Sequence, residues 1–148
     1  EDKVITVTAS AVTVANAAPP TSILAQGSAG VMFDDGLLDV TIVAPASRAG
    51  AIAASYHLLQ TALNENSAAD RDDIGYIRAR RVIIRTKPQQ KVVVDGEVIG
   101  ETPIDVECIP GGLTIFVPKE AAPPSPIEKL EGLPNLEIKS KPVVGFKE

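Results

Sequence analysis

The chain has 148 residues, with 14 Lys and Arg against 19 Asp and Glu for a net charge of −5, and it is 45% hydrophobic and 22% charged. That length fits one compact domain with or without a tail, and the acidic balance argues against a broad nucleic-acid-binding face. Only five residues are aromatic (two Tyr, three Phe, no Trp), so the core has to be built from Val, Ile, Leu and Ala. Cys108 is alone and cannot close an intrachain disulfide; with His57 the single histidine, no Cys/His cluster is available for zinc. No run approaches the ~20 consecutive apolar residues of a membrane span, and no basic stretch leads into an apolar signal segment. A soluble, cytoplasmic protein is expected. The first residue is Glu1 and an apolar run begins at Val4, which reads as a piece of a longer polypeptide.

From Val4 to Val14 the residues VITVTASAVTV are rich in β-branched side chains and roughly alternate, which predicts a long strand with a bulge or bend where the alternation slips near Ala11 and Val12. Residues 16–36 carry Pro19-Pro20, Gly27, Gly30 and Gly36 and read as a long irregular connection of the kind that is usually functional. Over Leu37–Val43, Leu38, Val40 and Ile42 alternate with Asp39 and Thr41, the pattern of a half-buried strand. Ser47 can cap a helix whose larger apolar residues, Ile52, Tyr56, Leu59 and Leu63, are spaced 4, 3 and 4 along one face. Strand character returns from Tyr76 to Arg85 and from Lys91 to Val94. Asp95-Gly96 then predicts a tight hairpin, because both central positions of a type I′ turn require positive φ. A second hairpin is expected between Ile104–Cys108 and Leu113–Val117 through Pro110-Gly111-Gly112. The last 31 residues hold six of the twelve prolines and read mainly as a flexible tail, although short runs such as Leu136-Glu137-Ile138 are able to dock on an edge. The sum is a mostly-β domain: an antiparallel β-sandwich of six or seven strands with one crossover α-helix over residues 1–118, and a Pro-rich tail over 119–148.

Several enzyme classes fail for want of their parts. There is no GxxxxGK[ST] run, no GxGxxG opening a helix and no GxSxG elbow. His57 lies one position past the apolar face of the expected helix, where a solvated role outweighs a catalytic one. Two acidic clusters remain. Asp34-Asp35-Gly36, with Asp39 nearby, offers hard oxygen ligands and a glycine that lets backbone carbonyls turn toward one ion, yet Asp and Gly are also ordinary turn residues. Asp95-Gly96-Glu97 sets a carboxylate just beyond a tight turn, and equally describes a solvated hairpin tip.

Taken in order and at their separation, VTASAVTVANAAP, FDDGLLDVTIV and VVVDGEVIGETPIDVECIPGGLTIFVP resemble the C-terminal domain of the diacylglycerol kinase-like lipid kinases, the bacterial group that includes relatives of sphingosine kinases. In that family the N-terminal domain carries a GGDGT-type nucleotide site, and no GGDG occurs in this chain. The resemblance therefore implies the substrate-side domain of an ATP- and Mg²⁺-dependent kinase, such as one phosphorylating the hydroxyl of diacylglycerol. On that reading the fragment is inactive without its N-terminal nucleotide-binding domain. It further implies a lipid substrate and peripheral contact with the inner face of the membrane; the acidic balance speaks against a nucleic-acid partner, and a homodimer is an open option. Residue by residue, Asp35 matches the ligand of a structural magnesium ion, completed by backbone carbonyls at Met32 and Leu37, and Glu97 matches the general base. A small hard cation takes carboxylate, carbonyl and water oxygens, and phosphoryl transfer needs a carboxylate placed to take the acceptor's proton. Ile23, Leu24, Val31, Met32 and Phe33 are suited either to an acyl-chain groove or to ordinary core. The stretch VVVDGEVIGETPIDVECIPGGLTIFV alone also resembles a PEGA-type β module, a binding or structural unit without catalysis; that reading leaves DDGLLDV unexplained. A nicotinamide-nucleotide kinase relative is a third option.

Overall fold

The computed structural model describes residues 3–16, 34–44, 73–114, 116 and 128–140. They form nine strands: β1 (Lys3–Thr6), β2 (Ala11–Ala15), β3 (Leu38–Val43), β4 (Ile74–Ala79), β5 (Arg81–Ile84), β6 (Lys91–Val94), β7 (Glu97–Glu101), β8 (Ile104–Glu107) and β9 (Glu137–Ser140). Every pairing is antiparallel: β2-β3-β4 make one sheet, and β1-β9, β5-β8 and β6-β7 make pairs. The expectation of a mostly-β, antiparallel, sandwich-like domain holds. No helix occurs among the described residues; the helix expected over 47–63 and residues 17–33 of the long connection lie outside them.

The long first strand is in fact two. The chain leaves extended pairing over 7–10, just ahead of the slip in the alternation, and the Ser10 amide and hydroxyl both donate to the Val43 carbonyl, at 2.8 and 3.0 Å. That bend hands β1 to one partner and β2 to another. A similar break at Arg80 divides the run from 76 to 85 into β4 and β5.

β3 corrects the half-buried reading, because all six of its residues are buried. It is the central strand, and both its faces are covered. On one face Val40 and Ile42 pack with Ala44 and Leu133, flanked by Val7, Val14, Ile77, Val82, Leu130 and Leu136. On the other, Val43, Ile74 and Tyr76 pack with Ala11, and the registers Thr41↔Tyr76 and Asp39↔Arg78 carry that face into a polar cluster.

The cover over the first face comes from the segment read as tail. Lys129 bridges Tyr76 along the outer edge of β4, its amide donating to the Tyr76 carbonyl at 2.8 Å, while Glu128 Oε1 accepts the Arg78 amide at 2.9 Å. The chain then crosses the sheet with Leu130 and Leu133, and β9 pairs with β1 in the register Ile5↔Ile138. Gly75 permits the crossing, since a Cβ there would stand 2.6 Å from Leu133 Cδ1. Residues 128–140 thus belong to the packed unit, and Pro134, the one proline among them, sits in the crossing between Leu133 and β9.

The two expected hairpins fare differently. At Asp95-Gly96 both central residues have positive φ, 48° and 90°, and β6 and β7 pair around them. At Pro110-Gly111-Gly112 the chain does turn, Gly111 having φ 68° and the Gly112 amide donating to the Ile109 carbonyl. The return strand is the correction: Leu113, Thr114 and Phe116 are not in a strand, and β8 pairs instead with β5. A turn signal establishes where a chain reverses but not what it pairs with afterwards.

Candidate functional site

Glu97 opens β7, one residue past the I′ turn, and is exposed. Its hairpin is held at the open end by Thr102, which is buried although polar. The Gln90 amide donates to Thr102 Oγ1 at 3.1 Å, the Thr102 amide returns to the Gln90 carbonyl at 2.9 Å, and Gln89 Nε2 donates to the Thr102 carbonyl at 2.9 Å. The Thr86 hydroxyl completes the cluster. Along the strands Val93, Val94, Val98 and Ile99 are 48–63% exposed; Val94 is the cross-strand partner of Glu97, and the Val93–Val98 pair lies on the opposite face. A hairpin with large apolar side chains left in water marks a surface suited to an apolar ligand or partner.

The second cluster is the bend at 34–37. Gly36 has φ 75°, and a Cβ there would lie 3.2 Å from Pro110 Cγ, so glycine is required both by the backbone and by the approach of the 109–112 turn. The Leu37 amide donates to Asp35 Oδ1 at 3.0 Å, fixing that carboxylate in the bend. Arg78 of β4 forms an ion pair with Asp35, and its Nε lies 3.4 Å from Asp39 Oδ1. Burial pushes the Asp39 carboxyl up to about 6, and its Oδ2 has no hydrogen-bond partner among the described residues; the same is true of the Tyr76 hydroxyl, which burial pushes up to about 12.

Asp35 and Leu37 therefore share one bend, as expected, while Met32 lies outside the described residues. No hydrogen bond or ion pair joins Glu97 to Asp35 among the described residues: Glu97 lies in the β6-β7 pair, and Asp35 in the bend that leads into β3 of another sheet. Among the described residues no group of three or more acidic, Cys or His side chains surrounds a common point. An ion at the bend has to draw on one carboxylate, backbone carbonyls and water, a donor set that suits a small hard cation. Arg78 and Tyr76 escaped notice in the sequence. The available signal was phase: in IGYIRA, Ile74, Tyr76 and Arg78 share one face, so a cation sits in the inward register of a buried strand.

Residues 1–117 match the family described as YegS C-terminal NAD kinase beta sandwich-like domain. The chain belongs to this family. The YegS-type domain is the C-terminal unit of a kinase family, which bears out the resemblance drawn from the DDGLLDV and VDGE stretches, and one match spans both. The chain is also 42% identical over 120 residues to an uncharacterized protein of Synechocystis sp., an alignment covering 81% of this chain and 28% of that protein. The YegS-type domain thus spans under a third of that relative's length. No solved structure matches it. Among the described residues no helix is long and apolar enough to cross a membrane.

Proposed function

We propose that this chain is the substrate-side domain of an ATP-dependent lipid kinase, with Glu97 as the general base. The observation that carries the reading is the setting of that carboxylate: exposed, opposite Val94, and mounted on a hairpin clamped through Thr102 whose aliphatics Val93, Val94, Val98 and Ile99 are all uncovered. A hydroxyl carried on a hydrophobic chain fits such a surface, the aliphatics taking the chain while Glu97 accepts the hydroxyl's hydrogen bond. As the new O–P bond forms and the bond from the transferred phosphoryl to the departing ADP breaks, Glu97 takes the hydroxyl's proton, and the hairpin's stiffness holds the carboxylate within reach of it. ATP, held by a separate nucleotide-binding domain, supplies the phosphoryl group when bound. Asp35, with the backbone carbonyls of Met32 and Leu37, would hold a magnesium ion that braces the bend.

Family membership supports the kinase part of this reading, and the uncovered aliphatics of the hairpin that carries Glu97 support the lipid part. The test is labelling of a lipid extract from ATP by the full-length protein, with Glu97→Gln alongside. The variant should lose about 10²-fold or more in kcat, with KM and thermal midpoint unchanged because the side chain is exposed. Full activity in Glu97→Gln would remove Glu97 from the role of base. Labelling of a soluble dinucleotide rather than lipid would overturn the substrate class.

A further inference from the structure

Arg78 stands opposite Asp39 in the β3-β4 register, and its side chain is only 14% exposed. Its guanidinium meets two carboxylates of unequal standing. Asp35, in the bend, takes the ion pair and already accepts the Leu37 amide. Asp39, in the buried strand, has one oxygen 3.4 Å from Arg78 Nε and the other without any hydrogen-bond partner among the described residues. The guanidinium thus has a second acceptor close by and only partly used. A planar fork of N–H donors is suited to move from one carboxylate to the other, since the exchange trades one charge-assisted contact for another and partners an oxygen that now has none.

We propose that Arg78 is a positioning residue that serves as the resident counter-ion of Asp35 and competes with a divalent cation for that carboxylate, while Asp39 receives the guanidinium when a cation takes its place. This rests on the reading of Asp35 as a metal ligand. Two cations on one partly buried carboxylate repel each other, so the affinity of the bend for magnesium is set by how easily Arg78 leaves. The bend then keeps its shape without magnesium, because the guanidinium already neutralises Asp35. Nothing in the DDG pattern announces this, since Arg78 follows it by more than forty positions.

The test is calorimetric titration of the full chain with magnesium or manganese chloride alone, together with the rise in thermal midpoint on adding either salt. Arg78→Met should tighten binding about tenfold and enlarge the rise, because the competitor is gone. Asp39→Asn should weaken binding by a similar factor, because the displaced guanidinium then meets a neutral amide oxygen in place of a second carboxylate. Asp35→Asn should abolish saturable binding. The opposite signs for Arg78 and Asp39 are the readout that a merely structural role would not produce. Should Arg78→Met fail to fold, Arg78→Lys should still tighten binding by a smaller factor, since a point charge pairs less well with a carboxylate than the fork does. Affinity unchanged in both Arg78 variants, with Asp35→Asn inactive toward the ion, would overturn the competition and leave the metal reading standing. No saturable binding in any variant, Arg78→Met included, would overturn both.

Discussion

Tyr76 shows how a single side chain of this sheet departs from an ordinary core residue. Its ring packs with Val43 and Ile74, yet its hydroxyl is buried without a partner among the described residues. An unmade hydrogen bond in the interior is a net loss, so Tyr76→Phe should leave the fold at least as stable, with a gain of about 1 kcal/mol in urea-melt stability. The hydroxyl also has a pH signature. Its pKa lies near 12 in the fold and near 10 in a free chain, so between those values the folded state keeps a proton that the unfolded state releases. Stability should therefore fall as pH rises through that window, and the Phe variant should lack that portion of the slope. A difference titration of tyrosinate absorbance between the two proteins checks it. Identical curves would mean that the Tyr76 hydroxyl is in contact with water.

At the scale of elements, two short pieces decide what the sheets can do. The 128–133 crossing lies over Gly75, and a methyl group there meets Leu133 at the far end of its side chain and the Lys129 carbonyl at 3.2 Å. Leu133 is itself in the core, so it cannot swing aside freely. Gly75→Ala should destabilise by about 1–3 kcal/mol, the usual effect of overpacking, and Leu133→Ala by about 2–4 kcal/mol through the cavity it leaves. If urea melts of both variants match the parent, the crossing is not part of the cooperative unit. The second piece is the polar clamp of the β6-β7 hairpin. Thr102→Val keeps the shape and removes the acceptor of the Gln90 amide, so that this part-buried bond is lost. A loss of about 1 kcal/mol is expected, and the proposed role of Glu97 as base predicts lower kcat in the full-length protein, since that carboxylate loses its stiff mount. Unchanged kcat in a stable Thr102→Val protein would show that the mount does not matter.

For the whole molecule, the relevant fact is proportion. The chain covers 28% of the Synechocystis relative, and among the described residues there is no glycine-rich loop leading into a helix to cradle phosphates. The expected outcome is that the 148-residue chain alone turns over no ATP and labels no lipid, while the full-length polypeptide does both. Radiolabel transfer with the two proteins side by side measures it. Turnover by the short chain would mean that the nucleotide site lies within these residues.

What the amino-acid order determined on its own is local. Alternation of β-branched residues marked the strands, and Asp95-Gly96 imposed its turn because few other pairs tolerate two successive positive φ values. The order and spacing of DDGLLDV and VDGE were enough to point to the family. Tertiary structure decided the rest. It chose β5 rather than Leu113–Val117 as the partner of β8, buried both faces of β3, and drew residues 128–140 from a Pro-rich stretch onto an open sheet. It also set Arg78 between Asp35 and Asp39. The reason is one of range: φ, ψ and side-chain phase are settled by neighbours within a few positions, whereas strand pairing, burial and ion pairing depend on which distant segment supplies the missing hydrogen bonds, apolar cover or countercharge.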